Sequence, residues 1–588
     1  MLEEAMEVFR ILLQEKGDSL ITDAYIPKGG TYRLIVMNDY GWEIKEPIDI
    51  HFDKKDNLKE IGNINYKLIQ ELDYKSKLVS MNKPMDTAKK IHSNNYLSLA
   101  VKKQTIKEGI LTEKIIVNYY NIFKNLMKKY RKKPKSKVLY EVVEEKLGTP
   151  DINLINKIEQ FVLTHNIWQG IDLDGKDYAK IFFVYPDENK TRKLYEIENE
   201  RYLTLHVYNK NDFNIKYNKQ ILGVPDNNMV MNDEKLYLKN KTRKIEMPYL
   251  LNQEEVLLQT KFFDYLFGQA TQKKYHIYVD NINMEIFTCT NSERPQDILS
   301  GYYLRCGIGS KGGVEIYEAD VITRYTSKLK KLFYFKNYIE STENILEKLG
   351  LSYDEAVDNK WEIFDLINIV FFDGKLRIYM FTDVKDIRIY DSVLKQTILN
   401  SRDILANWFW RGEQNQLVKI IDSLSLALIK NSILKQEIVK AQKQFNLRWS
   451  LLEYLNDKKI GVYMSNIRNQ LREHINVAKD VEWEFVSDEE YSYAVGQAVS
   501  YLLHLSKFKN KLESYVNPFF NTRSSQSIKR RLLQMYKKYN YQIIHVNGGR
   551  NAQLLSHVME YEPKEIKKEL IMAGFTAPSL MYEKKMGD

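Results

Sequence analysis

Ser487-Asp488-Glu489-Glu490-Tyr491-Ser492-Tyr493-Ala494-Val495-Gly496-Gln497-Ala498 opens the most explicit helix in this 588-residue chain. Ser487 followed three residues later by Glu490 fits a capping box, with Val486 available as its hydrophobic staple. Ala494, Gly496 and Ala498 are small enough to let a neighbouring helix approach closely. Helical text surrounds this stretch from about Ser401 onward: Arg402–Trp410, Gln414–Lys440, Phe445–Leu455, Met464–His474, Ser487–Ser506, Ser525–Tyr539 and Pro563–Ala573. Pro563 suits a first helical turn and Gly574 a stop. No fixed-period repeat is visible, so the C-terminal third reads as an all-α helical bundle.

Upstream the text is mixed. Leu2, Ala5, Met6, Phe9, Leu12 and Leu13 share one face of a helix over 2–16, which Gly17 ends. Ser19 to Pro27 and Thr31 to Met37 read as strands about the turn Pro27-Lys28-Gly29-Gly30. Helical spacing returns near 112–130 and 150–165. From about 178 to 325 strands dominate, as in Ala179-Lys180-Ile181-Phe182-Phe183-Val184-Tyr185, Tyr202-Leu203-Thr204-Leu205-His206-Val207-Tyr208 and Tyr275-His276-Ile277-Tyr278-Val279. The turn Leu173-Asp174-Gly175-Lys176 and a helix near 253–267 punctuate them, and a late strand pair is expected around Asp373-Gly374. Regular βαβ alternation is missing, so the fold class is an α+β N-terminal body of mixed strands and helices followed by the bundle. The expected domains are a body over 1–400, dividing again near 165 and 340, a helical connector over 401–463 and a bundle over 464–588.

The chain is too long for one core and has an ordinary globular composition, 44% hydrophobic and 28% charged. Cys289 and Cys306 form no CxxC pair, which excludes a disulfide framework and a cysteine zinc site. The N-terminus carries Glu3, Glu4 and Glu7 where a signal peptide needs bases, and the longest apolar run, Ile363 to Phe372, is broken by Asp365 and Asn368. A cytoplasmic protein with no membrane partner is expected.

Motifs for catalysis are mostly missing. Gly307-Ile308-Gly309-Ser310-Lys311-Gly312-Gly313-Val314 matches GxGxxGxV, but the text after it alternates like a strand instead of opening a helix, and no HRD or DFG follows. A hairpin tip is the better reading, with Lys311 within reach of a phosphate. No P-loop, HExxH or His-Asp pair is present. Asp172, Asp174 and Asp177 crowd one turn but fail the calcium-loop pattern, leaving a solvated turn. No metal and no cofactor are expected.

Charge is the stronger lead. The net charge is +10, but Lys114 to Tyr140 holds nine Lys/Arg and no acid, and Leu505 to Arg550 ten against Glu513 alone. Such patches suit a polyanion. The first window interleaves Lys124, Lys128, Lys129, Arg131, Lys132, Lys133, Lys135 and Lys137 with Tyr119, Tyr120, Phe123 and Tyr130. The second sets Lys507, Lys509, Lys511, Arg523, Lys529, Arg530, Arg531, Lys537 and Lys538 beside Tyr536 and Tyr539. Cations hold phosphates without regard to sequence, and rings stack on bases. If 525–539 is one helix, Leu532, Leu533 and Tyr536 form its apolar side, and Lys529 must snorkel past it.

The ends of the chain resemble a known family. Glu7-Val8-Phe9 through Glu15-Lys16-Gly17-Asp18, with Ala24-Tyr25-Ile26-Pro27-Lys28-Gly29-Gly30-Thr31-Tyr32, resembles the start of the large subunit of type I-B CRISPR Cascade, the Csh family. Tyr493-Ala494-Val495-Gly496-Gln497-Ala498 through Asn517-Pro518-Phe519, and Ala573-Gly574-Phe575-Thr576-Ala577-Pro578-Ser579-Leu580-Met581-Tyr582-Glu583-Lys584-Lys585, resemble its C-terminal bundle. The resemblance covers about the first 40 and last 100 residues. It implies a non-catalytic large subunit that binds CRISPR RNA at its 5′ handle, reads a short motif beside the target, and holds double-stranded target DNA and its displaced strand. The implied partners are backbone, repeat-processing and small subunits, and a helicase-nuclease recruited in trans. The cysteine-rich metal site of some relatives is not carried over.

Ile460-Gly461-Val462-Tyr463-Met464 can be encoded with AGGAGU just upstream of the Met464 AUG, so an internal start there would yield a small helical product. Two other classes stay open on the sequence: a metal-dependent nuclease or polymerase-like enzyme with dispersed carboxylates, and a protein-interaction scaffold.

Overall fold

A computed structural model describes residues 2–51, 62–130, 133–218, 220–226, 249–309, 313–339, 352–456, 460–476, 483–505, 512–543 and 548–583. The chain forms two units, one made of residues 1–291 and 301–321 and the other of 292–300 and 322–588.

The first unit begins with α1 (Leu2–Lys16) and the short α2 (Ser19–Thr22), followed by β1 (Gly30–Asn38), β2 (Gly41–Ile44), β3 (Ile48–Ile50), α3 (Tyr66–Ser76) and β4 (Ser98–Lys102). Then come α4 (Lys103–Lys107), α5 (Glu113–Lys124), α6 (Leu126–Tyr130), α7 (Pro134–Leu147), α8 (Ile152–Thr164), β5 (Tyr178–Val184) and α9 (Glu188–His206). A mixed sheet in the order β2-β1-β5-β4, with β3 also on β1, is the core of this part. β1 and β5 run parallel and are buried on both faces, which is why both read as near-continuous apolar text. The hairpin β6 (Ile215–Tyr217) and β7 (Gln220–Leu222) precedes α10 (Gln253–Thr271). The small sheet β11-β10-β8-β9 closes the unit, with β8 at His276–Asp280, β9 at Glu285–Cys289, β10 at Gly301–Ile308 and β11 at Val314–Ile322.

The second unit opens on a two-stranded ribbon, β12 (Lys328–Tyr334) and β13 (Ala356–Asn359). α11 (Lys360–Leu366) runs on into a π-helical turn, and α12 (Lys375–Tyr379) and α13 (Ser392–Ala406) follow. The rest is helical: α14 (Leu417–Leu434), α15 (Ile438–Asn456), α16 (Ile460–Asn476), α17 (Asp488–His504), α18 (Leu512–Asn521), α19 (Ser525–Ile543), α20 (Gly548–Glu560) and α21 (Lys568–Thr576). The expected fold class is therefore the observed one. The described helices include none long and apolar enough to cross a membrane.

The tightest helix contact is between α17 and α21. A Cβ on Gly496 would lie 2.2 Å from the Ile571 carbonyl oxygen, and one on Gly574 would lie 2.1 Å from that of Tyr493. The small residues of α17 thus do let a helix approach. Gly574, expected as a stop, lies inside α21 for the same reason. Pro563 does not start that helix. The Asp488 carboxylate at the head of α17 accepts from the amides of Lys564 and Glu565 and from the Tyr561 hydroxyl, holding 561–567 as a loop. Ser487 caps α17 through the Glu490 amide, but Val486 is 68% exposed and staples nothing.

Other expectations fail for local reasons. Tyr202–Tyr208 lies mostly in the last turns of α9, which Asp187 caps. Its alternating β-formers hide a helical face of Tyr195, Tyr202 and Leu205. Ser19 starts a helical turn instead of a strand. Around Asp373-Gly374, φ values of +52° and +78° separate two helical segments, not two strands. Gln414–Lys440 breaks at Gln436, φ +65°, where the Glu437 amide turns back to the Ser432 carbonyl.

The bundle core draws on both sides of residue 464. Ile429, Ile433, Phe445 and Trp449 pack in the same cluster as Tyr493, Val495 and Leu570. Arg448, nearly fully buried, pairs with Glu569 at 2.7 Å and with Asp422. Parts of α14 and α15 thus belong to this core, while Leu405, Trp408 and Leu417 pack in a separate cluster with Phe364 and Phe371.

Candidate nucleic-acid interface

α19 is positioned by Ile528, Leu532, Met535 and Tyr539, which recur at three- and four-residue spacing and are buried. Leu533, expected on the apolar side, is exposed, and Tyr536 is half-buried. Lys529 snorkels as expected: its side chain is 12% exposed and its amine meets Glu562 at 2.7 Å. Lys538 donates to the Tyr515 hydroxyl at 2.6 Å and lies over that ring. Arg531 is half-buried. Arg530 and Lys537, two turns apart, and Arg523 just before the helix are exposed and make no ion pair among the described residues. Arg530 and Lys537 are an outward cationic pair on α19, and Arg523 adds a third exposed cation just before it.

The first window is used differently. Tyr119, Tyr120, Phe123 and Tyr130 are buried in the core of their unit, so these rings are closed to bases. Lys124 pairs with Glu159, and Lys135 donates to the carbonyls of Asp212 and Asn214. Lys129 donates to the Pro84 and Met85 carbonyls, 3.0 Å each. Burial pushes its amine down to about 8. Lys137 forms an exposed i,i+4 pair with Glu141. Lys128 and Lys133 are exposed and unpaired among the described residues. Arg131, Lys132, Lys311, Lys507, Lys509 and Lys511 lie outside the described residues, as does the Met464 side chain, whose backbone is in α16.

The ribbon holds cations that the reading of two windows missed. Lys328 and Lys330 on β12 are exposed, beside exposed Leu332 and Tyr334, with Arg324 just before the strand. No acid occurs between Asp320 and Glu340. That depletion is the signal that would have found them.

The carboxylate turn is internally engaged: Asp172 accepts the Asp174 amide, Asp174 pairs with Lys107, and Asp177 with Lys103 at 2.9 Å. Gly309 and Gly313, joined by a 2.8 Å amide–carbonyl bond, flank the tip between β10 and β11, as the hairpin reading expects. Cys289 and Cys306 are buried thiols, and burial pushes Cys306 up to about 12. The described residues contain no group of three potential metal ligands. No family model matches the chain, and no curated protein or solved structure matches it.

Proposed function

We propose that this chain is a non-catalytic, nucleic-acid-binding subunit, and specifically the large subunit of a type I-B CRISPR Cascade complex. The observation that carries the nucleic-acid reading is the face of Arg523, Arg530 and Lys537 on and beside α19, where cations stay outward while others nearby are partnered. Exposed cations without ion-pair partners give phosphate affinity without sequence preference. The specific family rests on the sequence resemblance of the two ends. In this reading CRISPR RNA and target DNA are the ligands, and a helicase-nuclease does the cutting.

Purification of the chain expressed with its neighbouring genes tests the proposal. Recovery of a stoichiometric small RNA with repeat-like ends is expected. A clean monomer without RNA, or metal-dependent cleavage by the chain alone, would overturn it. A product started at Met464 would lack α14 and α15, and with them Phe445 and Trp449 of the bundle core. It would need another subunit to cover that face. Peptide mapping that finds no species beginning at Met464 removes this part of the proposal.

A further inference from the structure

Three separate segments bring lysines to one end of the mixed sheet. In the strand register Gly30 lies beside Tyr178, and Tyr178 beside Lys102, the last residue of β4. Gly30 has no room for a side chain: a Cβ would sit 2.4 Å from the Tyr178 carbonyl oxygen. That close approach brings the preceding loop and Lys28 onto this end, where the Tyr32 hydroxyl holds the Lys28 carbonyl at 2.6 Å.

The third segment is the loop 86–92. Asp86 is 1% exposed, and its carboxylate accepts the amides of Ala88 at 2.8 Å, Lys90 at 2.6 Å and Ile91 at 3.0 Å. This knot holds Lys89 at φ +54°, a conformation that side-chain-bearing residues adopt only under constraint. His92 stitches the loop to the sheet. Its amide donates to the Ala100 carbonyl at 2.8 Å, and its ring lies 3.1 Å from the Lys89 carbonyl and 2.9 Å from the Tyr178 hydroxyl. A carbonyl only accepts, so Nε2 carries the proton and Nδ1 accepts from Tyr178. Burial is the largest cause that favours this neutral ring, and the charges of Lys102 and Lys28 add to it, against the bond to the Lys89 carbonyl and the charge of Asp86.

Lys28, Lys89 and Lys102 are exposed, Lys90 is half-buried, and none has an ion pair among the described residues. The carboxylates nearby are occupied: Asp86 by three amides, Asp177 by Lys103, and Asp49 by the Thr31 hydroxyl. Elsewhere in the same unit lysines are consumed inside, as Lys180 is by Asp73. We infer that Lys28, Lys89, Lys90 and Lys102 form a preorganised site for the phosphate backbone of a nucleic-acid strand. This deepens the nucleic-acid reading above and rests on it, but it places a second contact surface in the other unit.

Lysine footprinting of the full chain tests the site. The intact protein is acylated with an N-hydroxysuccinimide ester, with and without a mixed-sequence single-stranded RNA or a duplex DNA, and mapped by mass spectrometry. Protection of the four lysines is expected with at least one of the probes. The triple variant Lys28→Ala, Lys89→Ala, Lys102→Ala should keep its melting temperature and flatten the slope of log K against log salt by about 2 on single strands. Equal acylation of these lysines with and without both probes, while Lys537 is protected, would overturn this inference and leave the α19 face standing. No binding of either probe would overturn both.

Discussion

Residues 113–140 and 488–543 look alike as text, both helical, both rich in rings, both ending in runs of lysine and arginine. They differ in what closes the contacts around their helices. In the first, lysine amines and tyrosine rings fill the gaps: Lys129 reaches two carbonyls, and Tyr119 donates to the Asn95 carbonyl at 2.6 Å. In the second, glycine and alanine on α17 let backbones meet, and Arg530 and Lys537 are left on the outside. A count of cations becomes a surface only where the fold closes its contacts by other means.

The largest expected effect tests the second half of this contrast. Gly496→Ala forces a methyl against the Ile571 carbonyl and should cost about 3 kcal/mol in chemical denaturation. A loss near zero would mean that α17 and α21 are not closed by the missing side chain. Next, Lys129→Met should cost about 2 kcal/mol, because the Pro84 and Met85 carbonyls lose their donor, while nucleic-acid affinity holds. Weakened binding with unchanged stability would reverse the assignment.

The same amine has a pH signature. Its folded value of about 8 is below the roughly 10.4 of an unfolded lysine. Between the two, the unfolded chain holds a proton that the folded chain lacks, so this group's contribution to stability rises with pH. Wild type should therefore gain on Lys129→Met from about pH 8 to 10, and a flat difference would place the amine in water. The smallest effect on folding belongs to the double variant Arg530→Ala, Lys537→Ala, which should shift stability by less than ~0.5 kcal/mol. Its salt slope on duplex DNA should nevertheless flatten by about 2, and an unchanged slope would take α19 out of the interface.

Much of the architecture was legible because it depends on periodicity. α1, α5, α8 and α10 follow their apolar spacing, and the buried β1 and β5 their continuous runs. Failures cluster where a distant partner overrides the local pattern. Nothing near Pro563 reveals that Asp488 will hold its loop, and nothing near Gly574 reveals that Tyr493 needs the space. The cationic face of α19 was partly legible, since one helical wheel orders it, although Ile528, Met535 and Tyr539 carry the packing in place of Leu533. The sheet-end lysines were not, because Lys28, Lys89 and Lys102 are joined only by strand register and a histidine ring.

The fit of α17 to α21 also sets an order of events during synthesis. A ribosome releases α17 well before α21, so Gly496 first faces a groove with nothing in it. Gln497, whose amide later donates to the Gly574 carbonyl and accepts from the Leu580 amide at 2.9 Å, is meanwhile a buried-type polar group without its partners. The sheet-bearing unit has all its strands once residue 322 has been made, whereas the helical one stays open until residue 580 emerges. The nascent chain thus carries a finished unit ahead of an unfinished, apolar-grooved one, and that interval is when a chaperone or a partner subunit has most to offer it.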